Sequence, residues 1–504
     1  MNTTPVGVGF LTKVKESPTP KLLRWSLLAT WGASLVLMTT AIAAVQSQRS
    51  AIKTVGLDSA PSIINAQRIK DSLADMDTNA ANELLAKPGQ NRAAVNGYDQ
   101  RREKLSELLV SVAENITYDD QERIPIQTIQ SKVGDYIQLI QQARDFNAHG
   151  DQANKLNAYR AAAELMDKTL LPAATTLAEV NNTQLNVSYR HHQSTAAISL
   201  FTVTISGLLL LGVLVGVQLF LNHRMRRRLN PGLLAASAIA VLFLGYTYQT
   251  LSAASHHLKV AKEDAFDSLY ALRVARSLAY SANGDESRYL LDKALAQNHQ
   301  QAFFQKTDQI AKIPSSQTFD SVANAYLLML DRDFKVAGFQ GFLADALHNI
   351  TFPGERQAVV ETLQSFGVYF NIDNQIRQLE QTGKHQEAIA LCLGNNVGQS
   401  NWAFEQYKEA HQKVLDINMA AFQESILQAL QEVGVDTGFK VKVNPNPQNS
   451  QTKAANEAIQ ILGTTNKVET LAITRFELIA TTAAIAIALF TLLGLIPRLK
   501  EYSA

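Results

Sequence analysis

The chain is poor in cysteine and poor in charge. Its 504 residues hold one cysteine, Cys392. A single thiol closes no internal disulfide, which excludes a disulfide-stapled ectodomain. Its setting, "AIALCLGN", makes it a small core residue. Charged residues are 18% of the chain, below the roughly 25% usual in soluble proteins. Motifs that carry chemistry are missing too: no Walker loop, no Gly-rich dinucleotide turn, no His-Glu-x-x-His and no Cys-x-x-Cys. Nothing here calls for an enzyme, a cofactor or a resident metal.

The low charge traces to four apolar runs, at 25–45, 196–221, 232–252 and 477–496. None holds Lys, Arg, Asp or Glu after its first residue. A helix rises ~1.5 Å per residue, so about 20 residues cross a ~30 Å hydrocarbon core. Each run is expected to span a membrane. The first exceeds the ~7–15 residues of a cleavable signal core and is expected to remain as an anchor.

Three segments beside these runs are basic. The first carries Lys13, Lys15, Lys21 and Arg24; the second, "NHRMRRRLNP" (222–231), carries Arg224, Arg226, Arg227 and Arg228; the third carries Arg498 and Lys500. Lys and Arg are retained on the cytoplasmic side during insertion, and four spans put all three segments on one side. The expected topology is N-in and C-in at a bacterial inner membrane. Of 46 basic residues ten lie in these segments, and of 45 acidic residues only two. The remainder is net acidic by about seven, without the basic face that nucleic-acid binding needs.

The expected order is a tail (1–24), a span (25–45), an outer loop (46–195), a span (196–221), the basic loop (222–231), a span (232–252), a second outer loop (253–476), a span (477–496) and a tail (497–504). Both outer loops open on the 3-4 spacing of a helical seam. In the first it runs Ile52, Val55, Ser59, Ser62, Ala66, Ile69, Leu73, Met76. In the second it runs Leu258, Ala261, Ala265, Ser268, Leu272, Ala275, Ala279, Ala282. A constant shift of 206 residues superposes the two seams and carries the first span onto the third. Few identities survive the shift, so the case for duplication rests on topology and register.

Turn signals "KPGQN" (87–91), "NITYDD" (115–120) and "NAHGDQ" (147–152) divide the first loop into four helices, the count of an up-down-up-down bundle. The second loop is expected to break at "ANGDE" (282–286), "KIPSSQ" (312–317), "TFPGE" (351–355) and "GNNVGQSN" (394–401). An inserted segment, 434–466, follows, read as a short strand and a polar loop. The expected fold is an all-α membrane protein: four transmembrane helices with two extracytoplasmic antiparallel helical bundles, a tandem duplication.

Three groups of polar residues are candidate sites. His191 and His192 flank the second span, and His256 and His257 the third. A bundle of spans would bring both pairs near the outer surface, as a metal or pH site or as solvated interfacial histidines. Arg273 and Arg276 stand one turn apart beside the second seam, near Asp264 and Asp267. They are placed to grip an amino-acid carboxylate or to form intrahelical ion pairs. Arg224, Arg226, Arg227 and Arg228 form a basic surface for anionic lipid or an acidic cytoplasmic partner, besides fixing topology.

The stretch "IKTVGLDSAPSIINAQRIKDSLADMDTNAANELL" looks like the first outer helix of chemoreceptor-type four-helix-bundle sensor domains. With "EDAFDSLYALRVARSLAYSANGDESRYLLD" and the two-bundle, four-span layout, the chain resembles the GlnX-like bacterial membrane proteins. That resemblance implies a relay of amino-acid availability, with a periplasmic amino-acid-binding protein outside and a cytosolic Ser/Thr kinase inside. It carries over no ligand-binding residues. A homodimer is left open. The expected function is non-enzymatic signal relay; the alternative is an envelope scaffold or an accessory subunit of a membrane complex.

Overall fold

A computed structural model describes residues 19–116, 118–225, 229–329, 334–435 and 474–501. Among these residues the fold is all α-helical, apart from one isolated antiparallel bridge between Lys312 and Gln340. Four helices contain the apolar runs: α1 (Thr19–Lys53), α6 (Leu171–Met225), α7 (Pro231–Lys259) and α15 (Arg475–Lys500). They pack as a bundle around Leu37, Ala41, Leu210, Leu214, Ala240 and Ile487. Their outer faces present Trp25, Leu28, Phe201, Leu208, Leu242, Ile485 and Leu493 to the surroundings. A belt this large and apolar, on all four helices, needs lipid as its solvent. The described residues form an all-α membrane protein with four membrane-spanning helices.

Local chemistry sets the ends of these spans. Asn230 caps α7, its Oδ1 accepting from the Gly232 amide at 3.0 Å, and Pro231 occupies the first helical position. Its Nδ2 donates to the Gly494 carbonyl at 2.8 Å, joining α7 to α15. At Gly232 a Cβ would lie 2.5 Å from the Phe490 carbonyl oxygen, so only glycine permits this approach. Thr474 and Glu477 form a capping box at the start of α15. Arg49 of α1 pairs with Glu477 at 3.2 Å and donates to the Val433 carbonyl at 2.7 Å.

The first and third spans do not stop at the membrane. Each continues without a break into an extramembrane helix, giving single helices Thr19–Leu85 and Pro231–Leu291. In both, the junction is a π-helical segment: Thr54–Ser59 leads into α2 (Ala60–Leu85), and Val260–Phe266 into α8 (Asp267–Leu291). The 206-residue shift read from the seams carries Thr54 onto Val260 and Leu85 onto Leu291. The two helices thus share start and end positions and a rare helical form under one shift, although identities are few. All sixteen seam residues named above are buried.

The first extramembrane part comprises α2, α3 (Arg92–Glu114), α4 (Asp120–Ala148), α5 (Gln152–Leu165) and the outer half of α6, joined through a π-helical turn at Met166–Leu170. Its core holds Ile69, Leu73, Met76, Tyr98, Ile129, Tyr136, Tyr159 and Leu177. A groove of about 1100 Å³ separates α3 from α4, between Leu109, Val110, Val133 and Ile137. The second part comprises α8, α9 (Ala296–Ile310), α10 (Phe319–Leu328), α11 (Phe342–His348), α12 (Glu355–Gln381), α13 (His385–Leu393) and α14 (Ser400–Glu432). Its core is aromatic, around Phe303, Phe366, Tyr369, Phe404 and Tyr407.

The predicted break at "ANGDE" is not one: residues 282–286 lie inside α8. Gly284 leaves room for α2, since a Cβ there would lie 3.0 Å from Thr78 Oγ1. Asp285 and Glu286 are buried and partnered, not solvated turn residues. Tertiary contacts override the local turn signal. Helices end at the other six signals. The strand expected within 434–466 falls at positions 436–466, outside the described residues.

Candidate functional site along the central helix pair

The two extramembrane parts meet where α2 and α8 lie side by side. Thr78 Oγ1 donates to the Tyr280 carbonyl at 2.8 Å, and Ser287 donates to Asn82. Thr78 also faces Gly284, its counterpart under the 206-residue shift, so the two helices meet at positions related by that shift. Along this seam lie three layers of buried charge.

In the first layer, Asp71 of α2 faces Arg273 and Arg276 of α8 at 3.8 and 3.9 Å. Arg101 of α3 donates to Asp75 at 2.5 Å and to the Tyr280 hydroxyl at 3.1 Å. Arg276 reaches Tyr280 at 3.4 Å and also donates to Gln412 on α14. Burial, then the nearby Arg68 guanidinium, pulls Arg273 down to about 9. Burial, then Arg276 and Arg273, holds His411 well below the usual imidazole range, stacked on Tyr407 at 5.4 Å.

The second layer centres on Arg288 of α8. Its guanidinium pairs with Asp77 of α2, with Asp167 at 2.9 Å and with Asp285 at 3.2 Å. Its Nε donates to Tyr159 of α5 at 3.1 Å. Tyr136 of α4 donates to Asp77 at 3.2 Å, and Lys306 of α9 pairs with Asp285. One residue of the second half is thus bonded to three elements of the first. Nearby, Arg160 grips Asp292 with two bonds of 2.6 Å.

The third layer lies deeper in the second half. Glu286 accepts from Ser400 at 2.6 Å. Its Oε2 makes no well-formed hydrogen bond, with the Cys392 thiol nearby. Burial, then the Asp373 charge, pushes Glu286 up to about 8. Asp373 is bound by Arg377 through bonds of 2.7 and 2.8 Å, and Arg377 lies over the Tyr289 and Phe303 rings. Cys392 is buried, as its sequence setting implies.

Arg273 and Arg276 therefore reach across to Asp71, and are not assembled with Asp264 and Asp267. Asp267 pairs with Lys262 at 2.5 Å, and the Asp264 carbonyl accepts from Asn349 at 3.1 Å. Of the intrahelical pairing expected of the arginines, the Arg276–Tyr280 bond is present. His192 and His256 line one cleft, while His191 and His257 do not. Burial and the neighbouring imidazole lower both His192 and His257. Among the described residues no three His, Cys, Asp or Glu side chains are grouped to hold a metal ion. Arg224 is exposed at the end of α6; Arg226, Arg227 and Arg228 lie outside the described residues. Sequence reasoning missed Asp71, Asp77, Asp167 and Arg288. Their one local signal was charge interrupting a stretch of small helix-forming residues.

The first extramembrane part carries the comparison that bears on function. Residues 51–190 match the family described as an actinobacterial sensor domain. The match begins near the end of α1 and stops within α6 before the first histidine pair. No curated protein and no solved structure matches the chain. A sensory role is the functional class this supports. Physically, the seam suits it. Buried ion pairs are costly to part, so this seam holds α2 and α8 in register and moves them as one.

Proposed function

We propose that the chain is a non-enzymatic sensor and signal-relay protein of a bacterial inner membrane. The supporting observation is the sensor-domain match over residues 51–190, on a helix that continues unbroken from Leu85 back to Thr19 in the membrane. A displacement of the paired α2 and α8 is carried along rigid helices to the basic ends of the spans. The basic segments face the cytoplasm, with N- and C-termini inside and both large parts outside. The resemblance to GlnX-like proteins supplies the signal in this reading: amino-acid availability, received from a periplasmic amino-acid-binding protein and passed to a cytosolic partner such as a Ser/Thr kinase. The loop 222–231, ten residues between the second and third spans, is too short for a catalytic domain, so a signal read there passes through a partner.

One observation favours a second reading, an envelope scaffold. The ties among Arg288, Asp77, Asp167 and Asp285 would also serve a rigid support. The two readings separate in a membrane cross-linking pull-down of the tagged full-length protein, with and without aspartate, glutamate and glutamine. A relay recovers a periplasmic binding protein in amounts that change with one amino acid. Constant recovery of the same envelope proteins under every condition would leave the scaffold.

A further inference from the structure

A cleft of about 240 Å³ lies between α1, α6 and α7, where the apolar belt ends and the extramembrane part begins. On one side Ala196 and Leu200 line it, level with the exposed Ile198 and Phe201 of the belt. On the other stand Gln48, His192, Ser252, Ser255, His256 and Lys259. Gln48 is 5% exposed, yet its amide has no hydrogen-bond partner among the described residues. Its amide opens into the cleft, where it can bond an occupant. The Ser252 and Ser255 hydroxyls, placed to bond back to their own helix, likewise line the cleft uncommitted. The carboxylate of Glu263, beside this group, is already engaged. It accepts from Tyr189 at 3.0 Å and Gln193 at 3.2 Å, with Lys259 at 3.8 Å.

We infer that this cleft binds the phosphate of a membrane phospholipid. The group offers an amide, two hydroxyls, two imidazoles and an ammonium, a set rich in donors for an acceptor-only phosphate. The apolar lower wall at Leu200 fits the start of an acyl chain, and the depth matches the headgroup level. The bound headgroup bridges α1, α6 and α7 just below the π-helical segments Thr54–Ser59 and Val260–Phe266, so it fixes the junctions through which α2 and α8 leave the membrane. A free phosphate offers the same chemistry without the acyl chain.

The test uses delipidated full-length protein in detergent, titrated separately with phosphatidylglycerol, with diacylglycerol of the same chains and with inorganic phosphate. Binding is read by native mass spectrometry and by thermal shift. Phosphatidylglycerol is expected to bind at least tenfold more tightly than diacylglycerol and to raise Tm. Gln48→Leu with His256→Leu is expected to weaken it tenfold or more. Lys259→Gln, at an exposed rim position that packing does not depend on, is expected to weaken it severalfold with an unchanged lipid-free Tm. Equal binding of diacylglycerol and phosphatidylglycerol, or unchanged affinity in Lys259→Gln and the double variant, would overturn the proposal. Saturation by inorganic phosphate with no gain from the lipid would overturn the lipid as its source.

Discussion

Arg288 joins the two halves of the chain through a buried network. It is buried with Asp77, Asp167 and Asp285 around it. Replacing one partner of a buried network leaves charges uncompensated, at about 3–5 kcal/mol. Arg288→Gln is therefore expected to lose about that much stability in denaturation of the full-length protein. Arg288→Lys should recover only part, because an ammonium lacks the planar fork; full stability in either variant would contradict the network's role. Glu286 supplies a pH dependence. Burial raises its folded pKa from 4.5 to about 8, so the folded state holds this proton more tightly than the unfolded chain does. Its contribution to stability is complete below about pH 4.5 and is lost progressively up to about pH 8. Glu286→Gln is expected to flatten the fall of Tm between pH 5 and 8 and to exceed the parent at pH 8; parallel Tm curves would contradict it. At this scale the sequence showed which residues face a seam but not what they meet. Arg273 and Arg276 stand out beside Leu272 and Ala275, whereas their partner Asp71 lies some two hundred positions away on another helix.

Among the elements, the buried seams of the paired helices α2 and α8 were the most legible and the short helices the least. Spacing alone placed both seams, because a 3-4 pattern of small and apolar residues has one way to be buried. The π-helical junctions left no trace in composition, since an extra residue per turn is a backbone event. "ANGDE" misled because its polar residues bond across helices and its glycine admits a neighbour. The close approach at that glycine can be trapped. A Cβ at position 284 lies 3.0 Å from Thr78 Oγ1 and 3.7 Å from Thr78 Cα, near the Cβ separation of roughly 3.5–4.5 Å that disulfides need. Thr78→Cys with Gly284→Cys, in a Cys392→Ser background, is expected to cross-link on mild oxidation, read as a linked peptide pair by mass spectrometry. Two thiols that stay free and react with maleimide would place α2 and α8 apart.

For the whole molecule, the four spans and the helical class were legible because apolar length and missing charge are bulk properties. That the two extramembrane parts share a charged seam was not, because pairing between distant segments has no local signature. The topology makes its own prediction. A cysteine at the exposed Val110 on α3 should react with an impermeant maleimide in intact cells, and one at the exposed Asn222 on α6 only after permeabilisation. Labelling of both from one side would break the four-span arrangement. Relay itself is tested most directly at the basic ends of the spans. Spin labels at Arg24 and Asn222, both exposed there on α1 and α6, report the distance between those ends by pulsed dipolar spectroscopy. The measurement is made in membranes holding the cross-linked binding protein, with and without aspartate, glutamate or glutamine. A relay requires the distance distribution to shift with one of these amino acids. Superimposable distributions under every condition would contradict it.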